Sequence, residues 1–163
     1  MKRILFLFTL SGSLTAQAEV TYEKFIDAMI LRESSFRRHV KGDDGRARGY
    51  FQIHRSYLED ANWWSGTRYT HWDMHTPSKA LATVESYFER WCSHYILKYN
   101  KPVTYKILAM IHNQGPKGYN RIDGEYYWKA LQNSYRQLHG ETLSANVICD
   151  RYNRIFTRKK YRR

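Results

Sequence analysis

The spacing of the apolar residues constrains this chain most. From Thr21 to Arg32, Tyr22, Phe25, Ile26, Met29 and Ile30 recur at i, i+3, i+4, i+7 and i+8, the period of a helix that buries one face. Thr21 is a suitable N-cap, and Glu23 favours the first turn. Three more segments repeat the pattern. Thr76-Pro77 opens one, with Pro at the first helical position, and Leu81, Val84, Phe88, Trp91 and Tyr95 carry it to about Tyr99. Lys101-Pro102 breaks the chain there, and Thr104 caps a shorter helix ending near His112. Glu125 to His139 reads as a fourth helix, with Trp128, Leu131, Tyr135 and Leu138 inward. Ser144 caps a fifth containing Val147, Ile148 and Tyr152. Gly49 to His54 suits a short strand or an extended lip, and Asn62 to Thr76 reads as a long loop. The expected fold is mainly α (α+β), with a small irregular or β lip between the first two helices and a cleft between them. A chain of 163 residues with no internal repeat and no long linker holds one such domain.

The first eighteen residues are expected to lie outside that domain. Lys2 and Arg3 precede an apolar stretch, Ile4 to Leu10, and Ala16-Gln17-Ala18 is a small-x-small site. This is the layout of a secretory signal peptide cleaved after Ala18. It predicts a secreted or periplasmic protein with a domain over residues 19–150. No apolar run reaches the roughly 20 residues that span a bilayer, so a membrane-spanning fold is not expected. Lys and Arg number 27 against 15 Asp and Glu, a net charge of +12. Removing the two cations at Lys2 and Arg3 lowers it only to +10. Residues 151–163 hold seven Lys and Arg and no acid. Such a tail is either a solvated terminus or an attractor for a polyanion. For an exported chain the polyanion is a cell-wall polymer or an anionic membrane surface, and no nucleic acid is expected. Cys92 and Cys149 could close one disulfide in an oxidising compartment or stay as two buried thiols. Neither has a His or Cys at ligand spacing, so no metal is expected.

Four places carry residues suited to chemistry. Glu33 lies eleven positions after Tyr22, three helical turns on, and so shares the face of the apolar stripe. A carboxyl there is partly desolvated and sits at the negative end of the helix dipole. Both effects raise its pKa and suit it to general acid catalysis. The alternative is a helix-end Glu paired with Arg32, Arg37 or Arg38. The turn Gly42-Asp43-Asp44-Gly45 follows ten to twelve residues later and can return a second carboxyl across a cleft. Two carboxyls about 5 Å apart suit a retaining glycosidase, and a wider gap an inverting one. The alternative is an ordinary pair of turn residues. In Gly49-Tyr50-Phe51-Gln52-Ile53-His54, Gly49 permits close backbone approach, and Gln52 can both donate and accept. In Ile111-His112-Asn113-Gln114-Gly115-Pro116, His112 and Asn113 can bond sugar hydroxyls or serve the turn. The 14 Tyr and 5 Trp can stack on sugars or fill the core.

Read together, these segments resemble the invertebrate-type (destabilase) lysozyme family and its bacterial relatives, within the wider lysozyme and lytic transglycosylase superfamily. The counterparts are Glu33-Ser34, Gly49 to Ile53, Tyr57 to Asp60, Ala109 to Pro116, and Tyr127-Trp128, so the resemblance covers about residues 22–138. The chain departs from the family in having only two cysteines, and in Gln114 where the family commonly has Gly. The resemblance implies a lysozyme-like fold and hydrolysis of the β-1,4 bond between N-acetylmuramic acid and N-acetylglucosamine in peptidoglycan, by a monomer without cofactor. It places the general acid at Glu33 and the second carboxylate at Asp44, with Asp43 the alternative. Ser34, Tyr50, Gln52, His54, His112, Asn113 and Gly115 are the expected substrate contacts. Two other outcomes stay open at this point. A lytic transglycosylase would use Glu33 alone and leave 1,6-anhydro ends. A non-catalytic wall-binding protein would keep the basic aromatic surface and tolerate loss of Glu33.

Overall fold

The structure, a computed structural model, describes residues 20–153. The leader and residues 154–163 of the basic tail lie outside the described residues. Helix α1 (Tyr22–Ser34) begins where expected, with the Thr21 hydroxyl accepting from the Lys24 amide at 3.3 Å. It runs two residues past the expected end at Arg32 and ends on Ser35 in the left-handed conformation. Phe25, Ile26 and Met29 are buried. The chain then forms a three-stranded antiparallel lip: β1 (Lys41–Gly42), β2 (Ala47–Arg48) and β3 (Ile53–His54), in that order. The register pairs Lys41 with Arg48 and Ala47 with His54. A tight turn at Asp43–Gly45 joins β1 to β2, with Asp43 and Asp44 both at positive φ. Gly49 (φ 74°) seats the lip against the rest of the fold. A Cβ there would lie 1.8 Å from the Met74 carbonyl oxygen, so only glycine allows this approach.

A helix appears where none was expected. Helix α2 (Arg55–Ser65) follows β3 directly. Only Tyr57, Leu58 and Ala61 of it are buried, while Trp63 and Trp64 are exposed. Those outward tryptophans scramble the apolar period, and the segment from Asn62 therefore reads as loop. The loop proper is shorter, and it contains a 3₁₀ turn at His71–His75 whose Thr70 and Asp73 form a reciprocal capping box. Helix α3 (Pro77–Tyr99) has Pro at its start as expected. Helix α4 (Tyr105–Gln114) is capped by Thr104 and buries Leu108 through His112 in succession. That run is buried because the helix packs between α3 and α5. Helix α5 (Ile122–His139) starts three residues earlier than expected and packs on α1 and α4. Leu138 lies on its exposed side, contrary to expectation. Among the described residues, no helix is long and apolar enough to cross a membrane.

The fifth helix expected from Ser144 is not formed. Its β-branched pair Val147-Ile148 runs extended instead, with Ile148 in an antiparallel bridge to Thr104. The Tyr105 amide donates to the Val147 carbonyl and the Cys149 amide to that of Val103. Asn153 fastens the same seam through the Val103 backbone. Cys92 and Cys149 are both fully buried and unbonded, and burial pushes the Cys149 thiol up to about 11.

Candidate active site

The end of α1, the lip, the start of α2 and the end of α4 meet at a cavity of about 330 Å³. Its walls are Glu33, Asp43, Ala47, Gln52, His54, Tyr57, His112 and Asn113. Glu33 is there because α1 continues one turn past its stripe, which carries the carboxyl to the junction with α5. The side chain is 15% exposed. Its Oε1 accepts a hydrogen bond from the Tyr127 hydroxyl at 2.6 Å. Among the described residues no arginine forms an ion pair with it; Arg37 bonds the Ser34 carbonyl and Arg38 bonds His39. Burial raises the Glu33 pKa above the usual carboxylate range. The Tyr127 hydrogen bond and the charge of Arg32 act the other way, and the nearby charge of Asp43 adds to the rise. A carboxyl under these forces holds its proton to higher pH than a surface Glu.

His112 approaches the same oxygen, with Nε2 3.7 Å from Oε1 and the side chain 5% exposed. Burial pushes its pKa down to about 4, against a backbone contact with Phe51 that raises it. At neutral pH the ring is uncharged, so the proximity is not an ion pair. Its Nδ1 shares a hydrogen bond of 3.3 Å with the Tyr57 hydroxyl, and Tyr57 is itself stacked on Tyr87 with centroids 3.6 Å apart. Packed aromatic rings thus back the carboxyl and shield that side of it from water, while Tyr127 fixes one of its oxygens. Oε2 has no hydrogen-bond partner among the described residues.

Of the two candidate aspartates, the fold brings Asp43 to the cavity and leaves Asp44 off its walls. The left-handed turn sends the adjacent side chains different ways. Asp43 is open to solvent and shares a 2.8 Å contact with His54 Nε2. Gln52 and Asn113 also face the cavity. The Gln52 amide is already engaged, donating to the Gly49 carbonyl at 2.9 Å and the Val40 carbonyl at 3.4 Å. It therefore braces the lip from inside. Asn113 Oδ1 accepts from Gln114.

Three expected contacts are not brought to the cavity. Ser34 is buried, its hydroxyl donating to the Ile30 carbonyl. Tyr50 packs against the core. Gly115 ends α4 at φ 78°, ψ −164°, a conformation only glycine adopts easily. Two residues were missed as site residues, Tyr57 and Tyr127. A tyrosine on the buried side of a helix needs a partner for its hydroxyl, and Tyr127 beside inward Trp128 carries that signal. The partner lies 94 positions away, and no local pattern names it. Among the described residues, no group of three or more His, Cys, Asp or Glu could hold a metal ion.

A helical domain with a three-stranded lip, a buried carboxyl at a helix end and a second carboxyl on the lip is lysozyme-like in fold and layout. Comparison with known proteins makes this more specific. No family model and no curated protein sequence matches the chain. The structure matches that of Tapes japonica lysozyme, with TM-score 0.57 and 26% identity over 68% of this chain and 87% of that one. It also matches the complex of Aeromonas hydrophila PliI with Meretrix lusoria lysozyme, with TM-score 0.60 and 24% identity over 74% of this chain and 94% of the matched one. The fold is that of the invertebrate-type lysozymes.

Proposed function

We propose that this protein is a muramidase that hydrolyses the β-1,4 bond between N-acetylmuramic acid and N-acetylglucosamine in peptidoglycan. The observation that carries the reading is the pairing of two unlike carboxyls on one cavity. Glu33 is enclosed and inclined to keep its proton, and Asp43 is open to water. Environments that differ in this way separate the acid from the charged partner. Glu33, through Oε2, protonates the leaving glycosidic oxygen. Asp43 attacks the anomeric carbon or stabilises the positive charge that develops there. Glu33, now ionised, takes a proton from the water that completes hydrolysis. His112 stays neutral beside it and adds no charge that would pull the proton off Glu33. In the same reading the leader, cleaved after Ala18, exports the domain to the wall. The net positive charge, tail included, draws it to that anionic polymer.

Digestion of purified peptidoglycan, followed by mass spectrometry of the fragments, tests this. The wild type should release reducing muropeptides. Glu33→Gln and Asp43→Asn should each lose roughly 10²-fold or more in rate, while Asp44→Asn keeps wild-type activity. Anhydro ends that survive Asp43→Asn would replace the hydrolase with a transglycosylase. No release from any wall preparation would leave a binding protein as the better account.

A further inference from the structure

The lip has a second face, turned away from the cavity, on which Ile53, paired with Arg48, is buried in the core while the Lys41 end is open. Ala47 lines the cavity, so its neighbour Arg48 projects to the opposite side of the strand. Lys41 is directly across the ladder from Arg48, and directly opposed residues share a face. Two like charges in that arrangement repel, and neither has a carboxylate partner among the described residues. Trp72 stands beside them, 66% exposed, with the Arg48 guanidinium 5.8 Å from its ring centroid. His75 packs edge-on to Trp72 at 4.9 Å and is 7% exposed. Its Nδ1 donates to the Arg38 carbonyl at 2.8 Å, which leaves Nε2 as the ring's unengaged position.

Three buried side-chain polar atoms lack a partner among the described residues, and two of them, Arg48 Nε and His75 Nε2, are here. Buried polar atoms are ordinarily satisfied, and those that are not point to a group that completes them. Repelling cations and an open indole thus coincide on one small surface, with the two unsatisfied nitrogens enclosed beneath it. The repulsion and the open indole are each a cost for the isolated chain, and one kind of ligand relieves both.

We propose that the open end of this face, at Lys41, Arg48 and Trp72, binds an acidic sugar. Its oxyanion lies between Lys41 and the Arg48 guanidinium, and its ring lies on Trp72. Guanidinium recognises both carboxylate and phosphate oxygens in a planar, two-pronged fashion, while an exposed indole offers the flat apolar surface that a sugar ring covers. That the sugar belongs to a wall polymer rests on the muramidase reading, whereas the binding chemistry does not. Such a site would hold an acidic stretch of wall one strand's thickness from the cleavage cavity.

The test is a titration of the full isotope-labelled chain followed by NMR at the Trp72 indole and the His75 ring. The probes are glucuronic acid, glucose 6-phosphate and neutral glucose. Saturable shifts with an acidic sugar and none with glucose are expected. The arm that binds tells a carboxylate-bearing source from a phosphate-bearing one. Arg48→Gln should weaken binding by at least about tenfold, exposed Lys41→Gln should weaken it less, and Lys129→Gln on α5 should leave it unchanged. Absence of a saturable shift with both acidic sugars, an equal response to glucose, or binding retained in both Arg48→Gln and Lys41→Gln would overturn the proposal. The titration reads binding and not cleavage, so its failure would leave the muramidase reading as it stands.

Discussion

Replacing Tyr127 by Phe removes one hydroxyl from a buried ring and little else. That hydroxyl donates to Glu33 Oε1 at 2.6 Å. A hydrogen bond to a charged group contributes about 1.5–3 kcal/mol, against about 0.5–1.5 kcal/mol for a neutral one. The bond therefore favours ionised over protonated Glu33 by about 1 kcal/mol. Without it, the upward push of burial on Glu33 is less opposed, and the carboxyl holds its proton to still higher pH. Acid catalysis needs that proton, so the alkaline limb of the kcat profile should move to higher pH. The carboxyl also loses the contact that fixes its plane. A barrier increase of about 1.4 kcal/mol is tenfold in rate, and a loss of that order in kcat at the optimum is expected. KM should hold, because Tyr127 is not on the cavity wall. Release of reducing ends from a soluble wall oligosaccharide, followed from about pH 3 to 9, reads all three quantities. An alkaline limb that stays put or moves to lower pH would refute the reasoning. So would an equal loss at every pH, which would make Tyr127 a packing residue only.

Three further outcomes follow from the same geometry. Glu33→Gln should be inactive but more stable than wild type above the ordinary Glu range. A folded-state pKa raised by burial means that stability is lost as pH rises through it. The gain should appear in thermal melts, at roughly 2–4 °C per kcal/mol for a chain of this size, and should vanish in acid. His112 works in the opposite direction. Its pKa falls from 6.5 to about 4 in the fold, so the wild type loses roughly 3 kcal/mol as pH drops through that interval. Urea titrations of His112→Gln should show that slope removed, and an unchanged slope would contradict a buried neutral ring. Gly49→Ala should destabilise the fold by more than about 1 kcal/mol, because the added Cβ meets the Met74 carbonyl oxygen at 1.8 Å in a left-handed backbone. A melt within a degree of wild type would show that the lip does not dock as described.

Much of this protein was legible in the chain itself. Four helices, the caps at Thr21 and Thr104, the proline start of α3 and the place of the lip are local features. Periodicity and capping chemistry act over a few residues and leave their mark in sequence. Glu33 could be singled out for the same reason, as a carboxyl in register with a buried stripe. Where burial did not follow the local pattern, the reading failed. Helix α2 hides behind two outward tryptophans, and Val147-Ile148 takes an extended path because the backbone at 103–105 offers it partners. The chemistry of the site depends still more on contacts far apart in sequence. Asp43 and Asp44 are adjacent and alike in composition, and only the left-handed turn decides which reaches the cavity. Tyr127 meets Glu33 from another helix, and the neutrality of His112 comes from the rings closed around it. The opposition of Lys41 to Arg48 follows from strand register. Each of these is a matter of which surfaces the fold presses together and which groups it removes from water.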